Sequence, residues 1–515
     1  MASNYSTHQG SSALSDFRRK ALLAQLKARN IVAHYVYYID LTAPLEESQR
    51  GSIAYLLVCD GGNSEPAHDG KGKAYIFYVF PRTGTISPWS SKATSIAHVC
   101  GLRNKVRRIE RGVVYKIFTN EHIVEDMPKW SKIFYDRMTQ ELSPDKPGLD
   151  GMFAQSEGET ATIISIFDQV EPRKALEVAN KNLGLALDPS EIFYLIDACG
   201  AYGNEPLRRD LYLVELFTFA QINSEHCRHK QFKALGTTID GGLPNVLSLF
   251  GMIRNTYRQH PEGIISAYTD NAAVMEGPKG SYLAPTQVTG LWTQTETNVP
   301  YLAKVETHNH PTAVSPFAGA ATGSGGEIRD EGAVGRGSEP KAALCGFAVS
   351  DLNIPGFKQE WEIDIGRPEH IASGLQILLE GPIGSAGYNN EFGRPCITGF
   401  FRTLTISIPI GNGEFEIRGY HKPMMVAGGV GSVRPELALK DPDLVKAGTH
   451  LIILGGPAMR IGLGGGAASS IASHEDNVEL AFASVQRGNA EVQIKAQEVI
   501  NTCSAMGTSS PILVC

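Results

Sequence analysis

The chain has 515 residues, 42% hydrophobic and 20% charged, which is typical of a globular protein with three or four domains. Its formal net charge of −7 gives no overall basic field that would favour nucleic acid as a partner. The first residues lack the charged start and apolar core of a secretory signal, and no run reaches the length of about 18 apolar residues that a membrane span needs. The 8 cysteines include no C-x-x-C pair, which favours a cytoplasmic location over a disulfide framework.

The first part of the chain predicts a small domain followed by a helical linker. Residues 1–15 are predicted to be disordered. Over 16–150, the runs VAHYVYYIDL, SIAYLLVC, AYIFYVF and VVYKIFT predict strands that alternate with helices, as in an α+β domain with an antiparallel sheet. Apolar residues at helical spacing predict a helical linker domain over 170–230, with Asp188-Pro-Ser-Glu as one helix start.

The second part of the chain predicts two further αβ domains. Strands with glycine-rich loops occupy 231–420, and KPMMVAGGVGSVR with the strand HLIILGG opens another domain over 421–515. The last residues, SSPILVC, are predicted to form an apolar strand whose edge would stay unpaired, so we expect the sequence to be cut off inside this domain. The predicted class is a multidomain α+β protein whose last domain is incomplete.

The stretch KVETHNHP, residues 304–311, combines a carboxylate with two imidazoles after a strand-like run. Alternate side chains of a strand share a face, so Glu306, His308 and His310 are predicted to project from the same side. A polar strand end is the plain alternative for a single histidine. A zinc site is disfavoured, because no nearby cysteine or further histidine completes a tetrahedral set.

A glycine-rich stretch, GAATGSGGEIRDEGAVGRG, covers residues 319–337. It predicts a loop whose backbone N–H groups approach an anion, with a mobile surface loop as the alternative for the glycines alone. Arg329 can fork onto phosphate oxygens, while Asp330 and Glu306 offer the oxygen ligands that Mg²⁺ prefers. Together these residues predict a metal–nucleotide site for phosphoryl transfer, of a kind other than the P-loop.

Two other patterns are less specific. Gly462 to Ala467 fits the dinucleotide fingerprint G-x-G-x-x-A and suggests an oxidoreductase, but GGPAMRI separates it from the preceding strand, which the fingerprint should follow directly. In NSEHCRHK, His226 is a candidate helix cap, and Cys227 is predicted to be a packing residue because nothing local supplies a base for it.

Five stretches together resemble successive motifs of the phosphoribosylformylglycinamidine synthase family, also called formylglycinamide ribonucleotide amidotransferase, in its large single-chain form. They are FAQINSEHCRHK, KVETHNHPTAVSPFAGAATGSGGEIRDEGAVGRG, EGPIGSAGYNNEFGRP, GGPAMRIGLGGGAASS and FASVQRGNAEVQ, and residues 80–115 resemble the family's N-terminal domain. The resemblance runs from about residue 20 to the end of the chain in the same order. It implies that the domains after the linker are similar to aminoimidazole ribonucleotide synthetase.

The resemblance implies an ATP- and Mg²⁺-dependent carbon–nitrogen ligase of purine synthesis. ATP would phosphorylate the amide oxygen of formylglycinamide ribonucleotide, and glutamine-derived ammonia would then displace phosphate. Glutamine or ammonia would be handled through C-terminal family domains that this sequence lacks, so we expect no product from glutamine with this chain alone. No nucleic acid or membrane partner is expected. The alternative is a truncated, non-catalytic nucleotide-binding fragment.

The resemblance also implies roles for individual residues. Catalysis falls on His226 and on His308, the latter as a general base. The implied substrate contacts are Thr307, Asn309, His310, Arg329 and Gln486. The implied metal ligands are Glu306 and Asp330. The implied ATP-binding residues are Lys304, Gly319, Ala320, Ala321, Thr322, Gly323, Ser324, Gly325, Gly326, Glu327, Ile328, Arg329 and Asp330.

Overall fold

The computed structural model of the chain describes residues 4–57, 73–119, 131–154, 160–167, 169–200, 207–236, 238, 242, 247–286, 289–456, 461–470 and 478–515. The chain divides into two compact units, residues 1–159 and 160–515. Within the described ranges, no helix is both long and apolar enough to cross a membrane.

The first unit is an α+β domain. Its strands are β1 Asn4–Ser12, β2 Asn30–Leu41, β3 Lys73–Pro81, β4 Val106–Thr119 and β5 Gln140–Ser143. They form one antiparallel sheet in the order β1-β2-β4-β3-β5. Its helices are α1 Asp16–Leu26, α2 Glu47–Leu56, α3 Pro88–Ala97 and α4 Leu149–Phe153. The predicted antiparallel α+β arrangement is therefore confirmed for this unit.

Two predictions for the first unit are wrong. The N-terminal residues form the edge strand β1, because their backbone pairs with β2 although their side chains are mainly polar. The run SIAYLLVC does not form a strand, since its first five residues complete helix α2 and residues 58–59 lie outside the described ranges. The N–H of Glu46 donates to the Gln49 side chain at 3.0 Å, which is one half of a capping box and favours a helix here.

The second unit begins with a helical segment that has its own core. Its first helices are α5 Pro172–Leu183, α6 Pro189–Ala198, α7 Leu213–Ile222, α8 His229–Lys233 and α9 Leu249–Gln259. Ile166, Leu176 and Leu216 belong to one buried cluster among α5, α6 and α7. The predicted start of α6 is confirmed, because Asp188 accepts the N–H of Glu191 at 3.0 Å and Glu191 accepts the N–H of Asp188 at 2.9 Å.

A six-stranded sheet follows in the second unit. The strands of this unit are β6 Ile163–Ile164, β7 Leu211–Tyr212, β8 Ile264–Ser266, β9 Ala273–Met275, β10 Lys279–Pro285, β11 Trp292–Asn298, β12 Tyr301–Thr307, β13 Glu339–Val349, β14 Cys396–Thr403, β15 Thr405–Gly411, β16 Glu414–Gly419 and β17 Met424–Ser432. The large sheet has the order β14-β13-β17-β12-β9-β8, in which β13 and β14 are parallel and the other neighbours are antiparallel. The pairs β6–β7, β10–β11 and β15–β16 form two-stranded sheets.

Further helices of this unit follow α9 in the chain. They are α10 Asn309–Val314, α11 Pro316–Gly332, α12 Gly374–Phe392, α13 Gly465–Ser470, α14 Val478–Ser484 and α15 Ala490–Ser504. Ala320 of α11, Ile377 of α12 and Phe347 of β13 share one fully buried cluster. Helices α11 and α12 therefore both pack against the sheet, and an added Cβ at Gly381 of α12 would lie 2.6 Å from the Phe347 ring.

The predicted domain boundary at residue 420 does not match the sheet. Strand β17 lies between β12 and β13, and most of its small and apolar residues are buried. The sheet of the preceding segment therefore continues to Ser432. The other predicted boundaries, of the domains over 16–150, 170–230 and from 231 to 515, stay predictions.

Two predicted strands near the end of the chain are absent from the described residues. Residues 450–456 form no strand, and Leu451 and Ile453 are 93% and 90% exposed. Residues 509–515 also form no strand; the Arg336 guanidinium instead donates to the carbonyls of Ser510 and Ile512 at 3.0 and 2.8 Å. In both segments an apolar run alone was insufficient to form a strand, because no strand among the described residues pairs with it by backbone hydrogen bonds.

The glycine-rich stretch is helical, so the predicted phosphate-binding loop at Gly319–Asp330 is wrong. All of these residues lie within α11, and none of its glycines has the positive φ that a loop of this kind uses. The glycines instead allow close packing. An added Cβ would lie 2.4 Å from the Pro311 carbonyl at Gly319, 2.9 Å from His308 Cβ at Gly323 and 2.7 Å from the Tyr388 ring at Gly325.

Alanine substitutions along α11 test this close packing. Gly319→Ala is expected to destabilise the protein by about 1–3 kcal/mol, because its methyl group would overlap the backbone at Pro311. Gly326→Ala is the matched control, since the nearest atom is Arg329 Nη2 at 3.5 Å, and alanine in a helix should stabilise by about 0.5–1 kcal/mol. Calorimetric melting of both variants measures the effects. An equal rise in melting temperature for both would show that α11 is not held this closely.

Candidate active site

The candidate site forms where β12 ends and α10 begins. The strand stops at Thr307, and the N–H of His308 donates to the Met425 carbonyl at 2.9 Å. Asn309 Oδ1 accepts the N–H of Met425 at 3.1 Å. These two bonds hold the turn against β17, so the His308 side chain has a defined direction. The predicted shared strand face for Glu306, His308 and His310 is wrong, because His310 already belongs to α10.

His308 is held as a neutral imidazole. Its Nδ1 lies 2.7 Å from the carbonyl oxygen of Gly319, and since a carbonyl can only accept, Nδ1 carries the proton and Nε2 carries the lone pair. Burial lowers the pKa of His308 to about 4, although the Gly319 bond and the Glu306 charge act to raise it. At neutral pH this ring can therefore accept a proton at Nε2, which is the chemistry of a general base.

Lys304 links the two predicted metal ligands. Its Nζ lies 2.8 Å from Asp330 Oδ2 and 3.3 Å from Glu306 Oε2. Burial alone would lower the pKa of Lys304, but the two carboxylates outweigh it and raise that pKa, so the ammonium stays charged. Two carboxylates arranged around one cationic group also fit the donor set of Mg²⁺, which takes oxygen ligands. Glu306 and Asp330 are thus the residues that would hold Mg²⁺.

His226 and Cys227 approach the same carboxylate from the turn that follows α7. Cys227 Sγ lies 3.6 Å from Glu306 Oε1, and a ligand atom of His226 lies within 4.8 Å of both residues. Partial desolvation of the sulfur, with the adjacent Glu306 charge, raises the pKa of Cys227 to about 11. The thiol therefore stays protonated as a donor to Glu306. Cys227 is exposed, so the prediction that it is a packing residue is wrong.

The remaining predicted residues are distributed unequally around the site. Arg329 is exposed on α11, and its charge contributes to the low pKa of His308. Thr307 is exposed, and its N–H donates to Glu306 Oε1 at 3.1 Å. Gln486 is exposed, and its backbone carbonyl accepts the Thr322 hydroxyl at 3.2 Å. The structure thus brings Lys304, Glu306, Thr307, His308, Arg329, Asp330 and His226 together.

His310 is removed from solvent. It is 6% exposed, and neither of its ring nitrogens has a hydrogen-bond partner among the described residues. Burial, followed by the charges of Lys422 and His370, lowers the pKa of His310 to about 4. A direct substrate contact for His310 stays a prediction. Most of the predicted ATP-binding residues inside α11 are also buried. The members of that set that are at least partly exposed are Lys304, Ala321, Gly326, Arg329 and Asp330, and of these only Lys304, Arg329 and Asp330 have charged side chains.

The sequence analysis missed a buried charge cluster behind α11. Arg394 forms ion pairs with Glu327 and Glu331, and its Nη1 lies 2.9 Å from Glu331 Oε2. Arg394 Nε also donates to Asn389 Oδ1 at 2.8 Å. The spacing of Glu327 and Glu331 could have indicated this cluster, because residues four apart in a helix lie on the same face. These two carboxylates are buried against Arg394, whereas Arg329, between them in the chain, is exposed.

The fold and the site define a mixed α+β protein with a neutral histidine near a lysine that is paired with two carboxylates. Residues 34–153 match the family model described as formylglycinamide ribonucleotide amidotransferase N-terminal, and residues 176–230 match the model of its linker domain. The chain is 48% identical to phosphoribosylformylglycinamidine synthase of Saccharomyces cerevisiae and 50% identical to that of Schizosaccharomyces pombe, over 98% and 97% of its own length. Over nearly its whole length the chain therefore matches the N-terminal part of members of this family, as the sequence motifs predicted.

The chain spans 39% and 37% of the lengths of these two relatives. Among solved structures, T. maritima PurL complexed with FGAR aligns with a TM-score of 0.31 at 20% identity, over 58% of this chain and 36% of that one. AaThiL complexed with AMPPCP and TMP aligns with a TM-score of 0.26 at 14% identity, over 49% of this chain and 62% of that one. Scores at this level do not establish a shared overall arrangement.

Proposed function

We propose that this chain supplies the ATP- and substrate-binding part of an enzyme that converts formylglycinamide ribonucleotide to formylglycinamidine ribonucleotide. The proposal also includes the ligase class, glutamine-derived ammonia as the nitrogen source, Mg²⁺ as the metal and a cytoplasmic location. The observation that carries it is the neutral His308, with its Nε2 lone pair, beside the cationic Lys304 and the carboxylates Glu306 and Asp330. Relatives named for this activity support it over the whole chain.

The residues divide the chemistry between them. Lys304 and Arg329 present positive charge to the phosphate groups of nucleotide and substrate, and so oppose the charge that builds up during phosphoryl transfer. Glu306 and Asp330 would hold Mg²⁺, which when bound neutralises phosphate charge. His308 accepts a proton at Nε2 as the new carbon–nitrogen bond forms, while Gly319 keeps its ring oriented.

The dinucleotide oxidoreductase alternative has no support from the described residues. A dinucleotide fingerprint begins directly after a parallel strand, whereas residues 450–456 form none. The segment packs against α7 instead, where the N–H of Ala467 donates to Gln221 Oε1 at 3.2 Å. The second alternative, a non-catalytic nucleotide-binding fragment, predicts the same binding site and differs only in turnover.

Asp330→Asn tests the nucleotide and metal assignment. We expect Mg²⁺ to tighten ATP binding to the 515-residue chain, and we expect the variant to lose most of this tightening because it lacks one anionic oxygen ligand. Equilibrium dialysis of ATP with and without Mg²⁺ measures both affinities. Asp443→Asn is the matched control, since Asp443 is an exposed aspartate outside the site. Equal ATP affinity of Asp330→Asn and wild type at every Mg²⁺ concentration would exclude Asp330 from the metal site.

Turnover is best tested in a polypeptide of the relatives' full length, because this chain spans 39% of the S. cerevisiae synthase. In a hybrid, this chain replaces the aligned 48%-identical segment of the S. cerevisiae synthase. Formylglycinamidine ribonucleotide produced from glutamine, Mg-ATP and formylglycinamide ribonucleotide by this hybrid would support the enzyme proposal. A folded hybrid that binds Mg-ATP and yields no product would favour the non-catalytic alternative.

A further inference from the structure

Three side chains of different chemistry converge at the mouth of the site. The ligand atoms of His226, Cys227 and Glu306 all lie within 4.8 Å of one another. His226 and Cys227 come from the turn after α7, while Glu306 comes from β12, 79 residues further along the chain than Cys227. No cysteine lies near Glu306 along the chain, which is why a zinc site is disfavoured by the local pattern; the fold brings Cys227 there from a distant segment.

The distances suit a tetrahedral metal ion. With zinc–sulfur and zinc–oxygen bonds of about 2.3 and 2.1 Å, two ligand atoms on one ion are separated by about 3.5 Å. The Cys227 Sγ to Glu306 Oε1 distance of 3.6 Å matches this separation. His226 and Cys227 are both exposed, so an ion can enter from solvent, and a ring nitrogen of His226 lies within 4.8 Å of the other two ligand atoms.

The backbone of the turn supports this geometry independently. Cys227 has φ 56° and Arg228 has φ 57°, so two successive residues with side chains adopt the left-handed conformation. Such a conformation costs on the order of 1–2 kcal/mol for each residue with a Cβ, and it persists only where the surroundings enforce it. Cys227, the first of these two residues, has its sulfur 3.6 Å from Glu306 Oε1.

The two carboxylate oxygens of Glu306 face different groups. Its Oε1 faces Cys227 Sγ and accepts the N–H of Thr307 at 3.1 Å. Its Oε2 faces Lys304 Nζ at 3.3 Å. Because Lys304 occupies the second oxygen, the first oxygen stays directed at the turn, where it can act as a monodentate ligand.

We propose that His226, Cys227 and Glu306 form a binding site for Zn²⁺. Imidazole, thiolate and one carboxylate oxygen are borderline-soft ligands that suit Zn²⁺, whereas Mg²⁺ prefers oxygen ligands alone. The Cys227 thiol loses its proton to solvent as the sulfur–zinc bond forms, and water completes the fourth position. Bound zinc would withdraw His226 and Glu306 from catalysis and so inhibit the enzyme. This inhibition rests on the proposed function, whereas zinc binding does not.

Cobalt titration tests the site without any activity measurement. Co²⁺ replaces Zn²⁺ in such sites and shows thiolate-to-cobalt charge-transfer absorption in the near ultraviolet together with visible bands of tetrahedral cobalt. We expect the 515-residue chain to show both signals with one equivalent of Co²⁺, to lose them on addition of Zn²⁺ and to keep them in excess Mg²⁺. Absence of the charge-transfer band in the wild-type chain would overturn the proposal.

Four variants identify the ligands. Cys227→Ser and Glu306→Gln are expected to weaken Co²⁺ binding by about tenfold or more, while Cys227→His should retain the visible bands and lose the charge-transfer band. Cys100→Ser is the matched control, because Cys100 is also an exposed free thiol. An unchanged charge-transfer band in Cys227→Ser would overturn the assignment. Neither result depends on ATP binding or turnover, so failure here leaves the proposed function to its own tests.

Discussion

Replacing His308 by alanine in the hybrid enzyme is expected to lower kcat by about 10²–10⁴-fold with little change in melting temperature. Two hydrogen bonds place the ring for proton transfer. The backbone N–H of His308 donates to the Met425 carbonyl, and the ring Nδ1–H donates to the Gly319 carbonyl. Alanine keeps the first contact and loses only the imidazole. The loss should therefore fall on the chemical step rather than on the fold.

The pH dependence gives a second measure of the role of His308. Since the pKa of His308 is lowered to about 4, the ring is the neutral base at neutral pH and becomes protonated only as the pH falls through that value. We expect kcat of the hybrid to show no loss from this residue between pH 8 and about pH 5, and to fall as the pH drops below about 5.

His260→Ala is the control for His308→Ala, because His260 is exposed at the end of α9. Unchanged kcat with a lower melting temperature would make His308 structural.

Local sequence patterns predicted the elements that depend on near neighbours. Three of the four apolar runs in the first unit form β2, β3 and β4, and the capping box at Asp188 starts α6. The fourth run failed because a local helix start at Glu46 outweighed its apolar composition. Strand β1 was missed because its ladder with β2 is a long-range interaction that polar side chains do not reveal.

The candidate site was predictable in its composition and not in its arrangement. Glycine has low helix propensity, so the stretch from Gly319 favoured a loop, and only its packing against Pro311 and His308 explains the helix. The prediction placed His310 on a strand face because nothing local marks the end of the strand at Thr307. That end depends on the hydrogen bonds of His308 and Asn309 with Met425, which is distant in the chain. The contact between Cys227 and Glu306 joins distant segments and has no local signal at all.

Local sequence patterns did not predict the buried charge cluster of Arg394, Glu327 and Glu331 either. Its disruption is expected to have the largest effect on stability. Glu327 and Glu331 are 0% exposed, and Arg394 is 4% exposed. Burial, followed by the charge of Glu327, raises the pKa of Glu331 to about 9. Burial also raises the pKa of Glu327, although its ion pair with Arg394 opposes this rise. We therefore expect the pair to hold one proton at neutral pH, on Glu331, so that one guanidinium balances one carboxylate.

We expect Arg394→Met to destabilise the protein by about 3–5 kcal/mol at pH 7, because it leaves the Glu327 carboxylate buried without its counter-charge. Glu331→Gln should keep or raise the stability, since an amide replaces a carboxyl group that is already neutral. Arg418→Met is the surface control. Its partner Glu416 lies 2.7 Å away, but both side chains are about half exposed, and an exposed pair contributes about 0–1 kcal/mol. Calorimetric unfolding of the three variants compares these effects directly.

The pH dependence of unfolding separates charge balance from simple packing. The folded-state pKa of Glu331 lies above its usual value, so between about pH 4.5 and 9 the folded protein holds a proton that the unfolded chain releases. Stability from this group is therefore complete below pH 4.5 and declines as the pH rises toward 9, and Glu331→Gln should remove that decline. If Arg394→Met and Arg418→Met had equal effects, or if Glu331→Gln kept the wild-type slope, the cluster would not hold α11 by charge pairing. The support of Arg329 and Asp330 would then come from apolar packing of α11, through Ala320 in one buried cluster and Ile328 in another.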